Sequence, residues 1–209
     1  MSSCLLFDCD GTLVDSERLC NIGLVRKFAE KNINLDAEEL VVRFRGWKLS
    51  LILETLTQEH SISIDEAFVS SYRAIVGELF ETELKPVEGI EVALQALPHK
   101  KAVVSSGPLA KIQQALRVTG LSDYFESNLY SSYEIGIWKP DPGIYRHAAK
   151  DMGYAAKDCV VIDDGLVGVE AGSLAGMKTY FYNRYNEKCG IPGVVSFGDM
   201  NELPYLIGT

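Results

Sequence analysis

Four short apolar runs punctuate the chain with little polar alternation: CLLFD at 4–8, KAVVSS at 101–106, CVVID at 159–163 and KTYFY at 178–182. Continuous hydrophobicity of this length, rich in β-branched residues, suits strands buried on both faces of a parallel sheet, whereas a half-exposed strand would alternate. Helical patterns at Pro108–Thr119, Pro142–Met152 and Leu166–Ala175 lie between or after these runs. Strand and helix in alternation predict an α/β fold, a doubly wound, Rossmann-like parallel sheet.

One interval breaks the alternation. From Ser16 to about Lys85 there is no comparable strand, only helical stretches at Leu19–Lys31, Ala37–Phe44, Leu49–His60 and Ile64–Leu84, with Asp36 and Asp65 placed as N-caps. The expected organisation is an α/β core made of 1–15 and 86–209, with 16–85 inserted as a helical unit. The core resumes at PVEGIEVALQAL before the second strand. Neither repeats nor low-complexity linkers interrupt the pattern.

Composition narrows the class. The chain has 209 residues, 47% hydrophobic and 23% charged, with a net charge of −9. An acidic surface disfavours nucleic-acid and anionic-membrane partners, which call for basic surfaces, but leaves room for an anionic small molecule at a locally basic site. Cys4, Cys9, Cys20, Cys159 and Cys189 show no metal-binding spacing, as expected of free thiols in a reducing compartment. With no signal-peptide pattern and no run long enough to cross a bilayer, the expected location is the cytoplasm.

Chemistry gathers where the strands end, which is where open α/β sheets build sites. After the first run come Asp8, Asp10, Gly11 and Thr12; after the second, Ser105, Ser106 and Gly107; after the third, Asp163 and Asp164. Lys139 sits in a WKPDP loop. Four converging carboxylates repel one another unless a cation sits among them, and hard oxygen donors point to Mg²⁺. Ser105 and the N–H groups of Ser106 and Gly107, ahead of a helix expected to begin at Pro108, form an anion seat, with Gly11 and Thr12 as further phosphate contacts. Carboxylate, divalent cation, lysine and anion seat together suit phosphoryl transfer. The spacing of Asp8 and Asp10 turns both to one side of the extended chain and Cys9 to the other, making Cys9 a core residue.

FDCDGTLVDS, VVSSGP, WKPDP and VVIDDGLVGVEAG, in that order, resemble the four motifs of the haloacid dehalogenase superfamily, and the insert resembles the cap of its subclass I. FRGWKLSLIL, FETELKPVEG and IWKPDPGIYRHAAK resemble most closely bacterial sugar-phosphate phosphatases acting on 6-phosphogluconate. The resemblance implies Asp8 as nucleophile, Asp10 as general acid and then base, Lys139 pairing with Asp8 and the phosphoryl oxygens, and Ser105 bonding the phosphoryl group. It implies Mg²⁺ held by Asp8, the backbone carbonyl of Asp10 and Asp164, with Asp163 holding a metal-bound water. An Asp8 at its reference pKa of about 3.9 is ionised without tuning, whereas the pKa of Asp10 must rise by about 3 for it to act as an acid near pH 7.

Two residues depart from the family pattern: Gly165 stands where many relatives have Ser, and Ser106 where Asn is common. In the insert, Arg43, Arg45 and Lys48 flank Gly46, either as a solvated basic turn or, for Arg45 and Lys48, as readers of the substrate. The implied activity is hydrolysis of a small phosphorylated metabolite. A sugar phosphomutase and a non-catalytic binding protein on the same scaffold are the alternatives. Oligomeric state leaves no signal in the sequence.

Overall fold

The computed structural model describes residues 3–208. Six parallel strands form one sheet: β1 (Cys4–Phe7), β2 (Lys100–Ser105), β3 (Leu129–Ser131), β4 (Cys159–Asp163), β5 (Lys178–Tyr182) and β6 (Val195–Phe197), in the order β3-β2-β1-β4-β5-β6. The chain builds outward from β1 to β2 and β3, then returns to add β4 on the other side. The switch point therefore lies between β1 and β4, where a crevice opens beyond the carboxyl ends. In register, Phe7 faces Val103 of β2 and Ile162 of β4, and the Asp8 N–H reaches the Ile162 carbonyl at 2.9 Å.

β1 is buried along its whole length, as its unbroken apolar run requires. One face of the sheet (Cys4, Leu6, Ala102, Val104, Cys159, Val161) packs on Ile144, Tyr145 and Ala148 of α8 (Gly143–Asp151) and on Ala171 of α9 (Leu166–Leu174). On the alternate positions, Phe7 meets Phe125 edge to face at 5.9 Å. The same unit contains α5 (Ile90–Ala96), α6 (Leu109–Val118), α7 (Ser132–Ile135) and α10 (Leu203–Ile207). The short strands β3 and β6 are additions to the four runs seen in the sequence. Each is three residues long, below the length at which an apolar pattern shows.

The chain divides into two compact units, Ser16–Leu84 and the sheet-bearing remainder. The first is α1 (Glu17–Ala29), α2 (Ala37–Phe44), α3 (Leu49–Glu59) and α4 (Glu66–Glu83). Asp36 caps α2 through the Glu39 N–H at 2.9 Å, and Asp65 caps α4 through the Phe68 N–H at 2.8 Å. Its core includes Leu24, Phe28, Leu40, Phe44, Leu56, Phe68, Val76 and Leu79, with Phe28 and Phe68 edge to face at 5.5 Å. No helix among the described residues is long and apolar enough to cross a membrane.

Candidate active site

β1 delivers Asp8, β2 delivers Ser105 and β4 delivers Asp163, so three adjacent strands end in polar side chains that are almost fully buried. Burying ionised groups costs several kcal/mol each unless partners are built in. Here the partner is Lys139, 3% exposed, whose Nζ lies 2.5 Å from Asp8 Oδ1 and 2.7 Å from Asp163 Oδ2. Asp163 is fastened further: Oδ2 also accepts from the Tyr145 hydroxyl at 2.7 Å, and Oδ1 from the Gly165 N–H at 2.9 Å. A Cβ at Gly168 would fall 1.8 Å from Asp163 Oδ2, so the first turn of α9 must be bare at that point for the carboxylate to fit.

These contacts set the electrostatics. Burial pushes the Asp8 carboxyl up to about 7; Lys139 pulls it back, while Asp163 and Asp10 add to the rise. The ordinary value expected from the sequence therefore does not hold, because the end of β1 is closed to solvent. For Lys139, burial alone would depress the ammonium, but Asp163 and then Asp8 outweigh it and hold its pKa well above the usual lysine range. Burial, reinforced by Asp163, keeps the Tyr145 hydroxyl a neutral donor.

Asp8, Asp163 and Asp164 each offer a carboxylate oxygen, all within 4.8 Å of one another. Three carboxylates facing one ammonium leave an excess of negative charge, and an all-oxygen cluster of this size fits a small divalent cation. The loop after β1 is shaped to admit Asp164. Gly11 takes φ +83°, and a Cβ there would lie 2.1 Å from Asp164 Oδ2. Thr12, fully buried, donates its hydroxyl to Asp164 Oδ1 at 2.7 Å. Gly11 and Thr12, the residues expected as phosphate contacts, thus lie against the Asp164 carboxylate in the fold.

At the expected anion seat the Gly107 backbone has partners within the protein. The Gly107 N–H donates to Ser105 Oγ at 3.0 Å, and the Gly107 carbonyl accepts from Ser131 at 2.7 Å. Accepting that N–H leaves the Ser105 hydroxyl proton for another acceptor. Pro108 is the N-cap of α6, not its first helical residue. Ser106 is half-buried on the same turn.

Asp10 lies outside the acidic triad. Its Oδ1 pairs with Lys111 Nζ at 2.7 Å, and both side chains are partly exposed. Lys111 and Tyr145 are the two site residues that the sequence did not single out. Each sits in the first turn of a helix, α6 and α8, and only the strand order brings it to the crevice. Cys9 is buried, and its thiol is raised well above the ordinary value by burial, then by Asp10 and Asp8, which suits a core residue.

In the helical unit, Arg43 pairs with Glu59, Arg45 lies 3.8 Å from Glu17, and Lys48 is the exposed N-cap of α3.

Comparison with known proteins gives four results. The family model described as haloacid dehalogenase-like hydrolase matches residues 3–176. The chain is 38% identical over 205 residues to the 6-phosphogluconate phosphatase of Escherichia coli K12, covering 97% of this chain and 93% of that protein. Among solved structures, a haloacid dehalogenase-like protein of unknown function from Agrobacterium tumefaciens superposes with a TM-score of 0.83 at 26% identity, covering 99% and 98% of the two chains. A candidate β-phosphoglucomutase from Thermotoga maritima superposes with a TM-score of 0.79 at 25% identity, covering 98% of each.

Proposed function

The chain belongs to the haloacid dehalogenase-like hydrolases and is a phosphatase of that family, and we propose that it hydrolyses a sugar or sugar-acid phosphate, 6-phosphogluconate first, through an aspartyl-phosphate on Asp8. The observation that carries this reading is the buried Lys139 bridging Asp8 and Asp163 at the switch point, one strand from Ser105. The substrate proposal rests on the likeness to the E. coli enzyme.

Each residue has its part in the reaction. Lys139 holds the Asp8 carboxylate by one oxygen, which aims the other for in-line attack on phosphorus. As the bond from Asp8 to phosphorus forms, the ester P–O bond breaks and Asp10 passes its proton to the departing oxygen. Asp10 then takes a proton from the water that opens the acyl phosphate. Ser105 donates its hydroxyl proton to a phosphoryl oxygen. Asp8, Asp164 and the Asp10 carbonyl, together with Asp163, would hold Mg²⁺, which would supply charge neutralisation at the phosphoryl group. Thr12, Gly11 and Tyr145 keep the carboxylates in place. Arg45 and Lys48, on charge alone, are proposed to read the sugar or its carboxylate.

The test is phosphate release from a panel of phosphorylated metabolites with Mg²⁺ and with EDTA. Metal-dependent turnover led by sugar phosphates, lost in Asp8→Asn, is the expected result. Full metal-dependent turnover by Asp8→Asn would remove Asp8 as nucleophile. A mutase is the second reading, favoured by the likeness to the Thermotoga protein. Isomerisation of a labelled hexose 1-phosphate without phosphate release would establish it. Inactivity across the whole panel would leave a binding protein.

A further inference from the structure

Lys111 is a cation in the first turn of α6, at the positive end of the helix, where acidic residues are favoured and none is present. Its ammonium is directed at the segment after β1, where Nζ meets Asp10 Oδ1 at 2.7 Å. Gly107 marks what lies around this pair. A Cβ built there would be 3.3 Å from Ser105 Oγ, 3.6 Å from Asp10 Oδ2 and 3.8 Å from Lys111 Cδ. The serine hydroxyl, the second aspartate oxygen and the lysine stem thus border one small space, which Gly107 leaves open. Lys111 grips one oxygen of Asp10 while the other faces the Ser105 side.

We propose that Lys111 is a positioning residue for Asp10, fixing the carboxyl so that Oδ2 meets the leaving-group oxygen; this rests on the phosphatase reading above. In the step it serves, Asp8 bonds to phosphorus, the ester P–O bond breaks, and the proton on Asp10 moves to the departing alkoxide. Lys111 gives up no proton. Up to leaving-group departure, its contribution is confined to esters whose leaving group needs that proton. An alkyl phosphate needs it, and 4-nitrophenyl phosphate, whose phenolate departs unaided, does not. Steps through leaving-group departure are reported by kcat/KM.

The experiment compares full-length wild type, Lys111→Met, Lys111→Gln and Lys111→Arg with Mg²⁺, on 4-nitrophenyl phosphate and on the best primary alkyl phosphate of the panel. A thermal melt checks the fold of each variant. The expected result is a kcat/KM loss of about tenfold or more on the alkyl ester for Met and Gln, with a loss of about threefold or less on the aryl ester and recovery by Arg. Equal losses on both esters overturn the proposal, since Lys111 would then serve the phosphoryl group or the fold. No loss on either ester overturns it too. Wild type inactive on both esters overturns the phosphatase reading itself and the proposal with it, a failure seen before any variant is made.

Discussion

At the carboxyl end of the sheet Lys139 is buried against Asp8 and Asp163; at the amino end Lys101, near the start of β2, is buried against the carbonyls of Leu97 at 2.6 Å and His99 at 3.1 Å. The two lysines are similarly inaccessible, 3% and 8% exposed, yet they shift in opposite directions. Burial lowers the Lys101 ammonium, because carbonyl dipoles replace water only partly. Two carboxylates hold Lys139 well above the ordinary range. At the amino end, backbone carbonyls accept the hydrogen bonds of the Lys101 ammonium. The carboxyl end gathers more anionic groups than its lysine balances, and that surplus calls for a ligand.

Removing each lysine is the most direct way to break this comparison. Lys139→Met leaves two carboxylates facing each other in a buried site. Turnover on the preferred sugar phosphate should fall roughly a thousandfold or more, and the melt should show a loss of about 3–5 kcal/mol. Lys101→Met should leave kcat/KM within about twofold and stability unchanged or slightly higher, since an apolar side chain replaces a poorly solvated charge. A turnover loss in Lys101→Met as large as that in Lys139→Met would erase the distinction between the two ends.

Next in size is the hydroxyl behind the triad. Tyr145→Phe removes one donor from Asp163 while Lys139 and the Gly165 N–H remain. About a tenfold loss in activity or in apparent Mg²⁺ affinity is expected, read from metal titrations of the rate. Unchanged metal dependence would mean that the hydroxyl serves only packing.

The pH profile of the metal-free protein should separate the two ends again. At the carboxyl end the folded pKa of Asp8, about 7, lies above its ordinary 3.8. The contribution from neutral Asp8 is thus full below about pH 4 and is lost as pH rises toward 7, with a slope of at most about 1.4 kcal/mol for each pH unit crossed. Asp8→Asn should flatten that slope in denaturant titrations under EDTA. At the amino end the sign reverses and the effect is smallest. Burial, then Lys101, depresses His99, so its contribution is present above about pH 6.5 and fades as pH falls through the lowered value. His99→Gln should remove a shallow acid-side decline; a steeper decline would invert the assignment.

Fold class, the helical interval and the main site candidates were legible because each is a local signal. Unbroken apolar runs announce buried parallel strands, and Asp36 and Asp65 announce helix starts by a bond three residues on. Asp8, Ser105 and Asp163 stand directly at strand ends, so the runs also located them. What stayed hidden depends on which strands become neighbours. Thr12 turns to Asp164 across 152 residues of sequence, and Lys111 to Asp10 across 101. The rise of Asp8 comes from burial, which no local pattern measures. By itself the sequence determined what the strands and helices are and which residue types stand at their ends, because hydrophobic periodicity and capping act over a few residues. Only the tertiary structure decided which of those ends share a crevice, which hydroxyl holds which carboxylate and how far solvent is excluded, because those follow from strand order and packing between residues far apart in the chain.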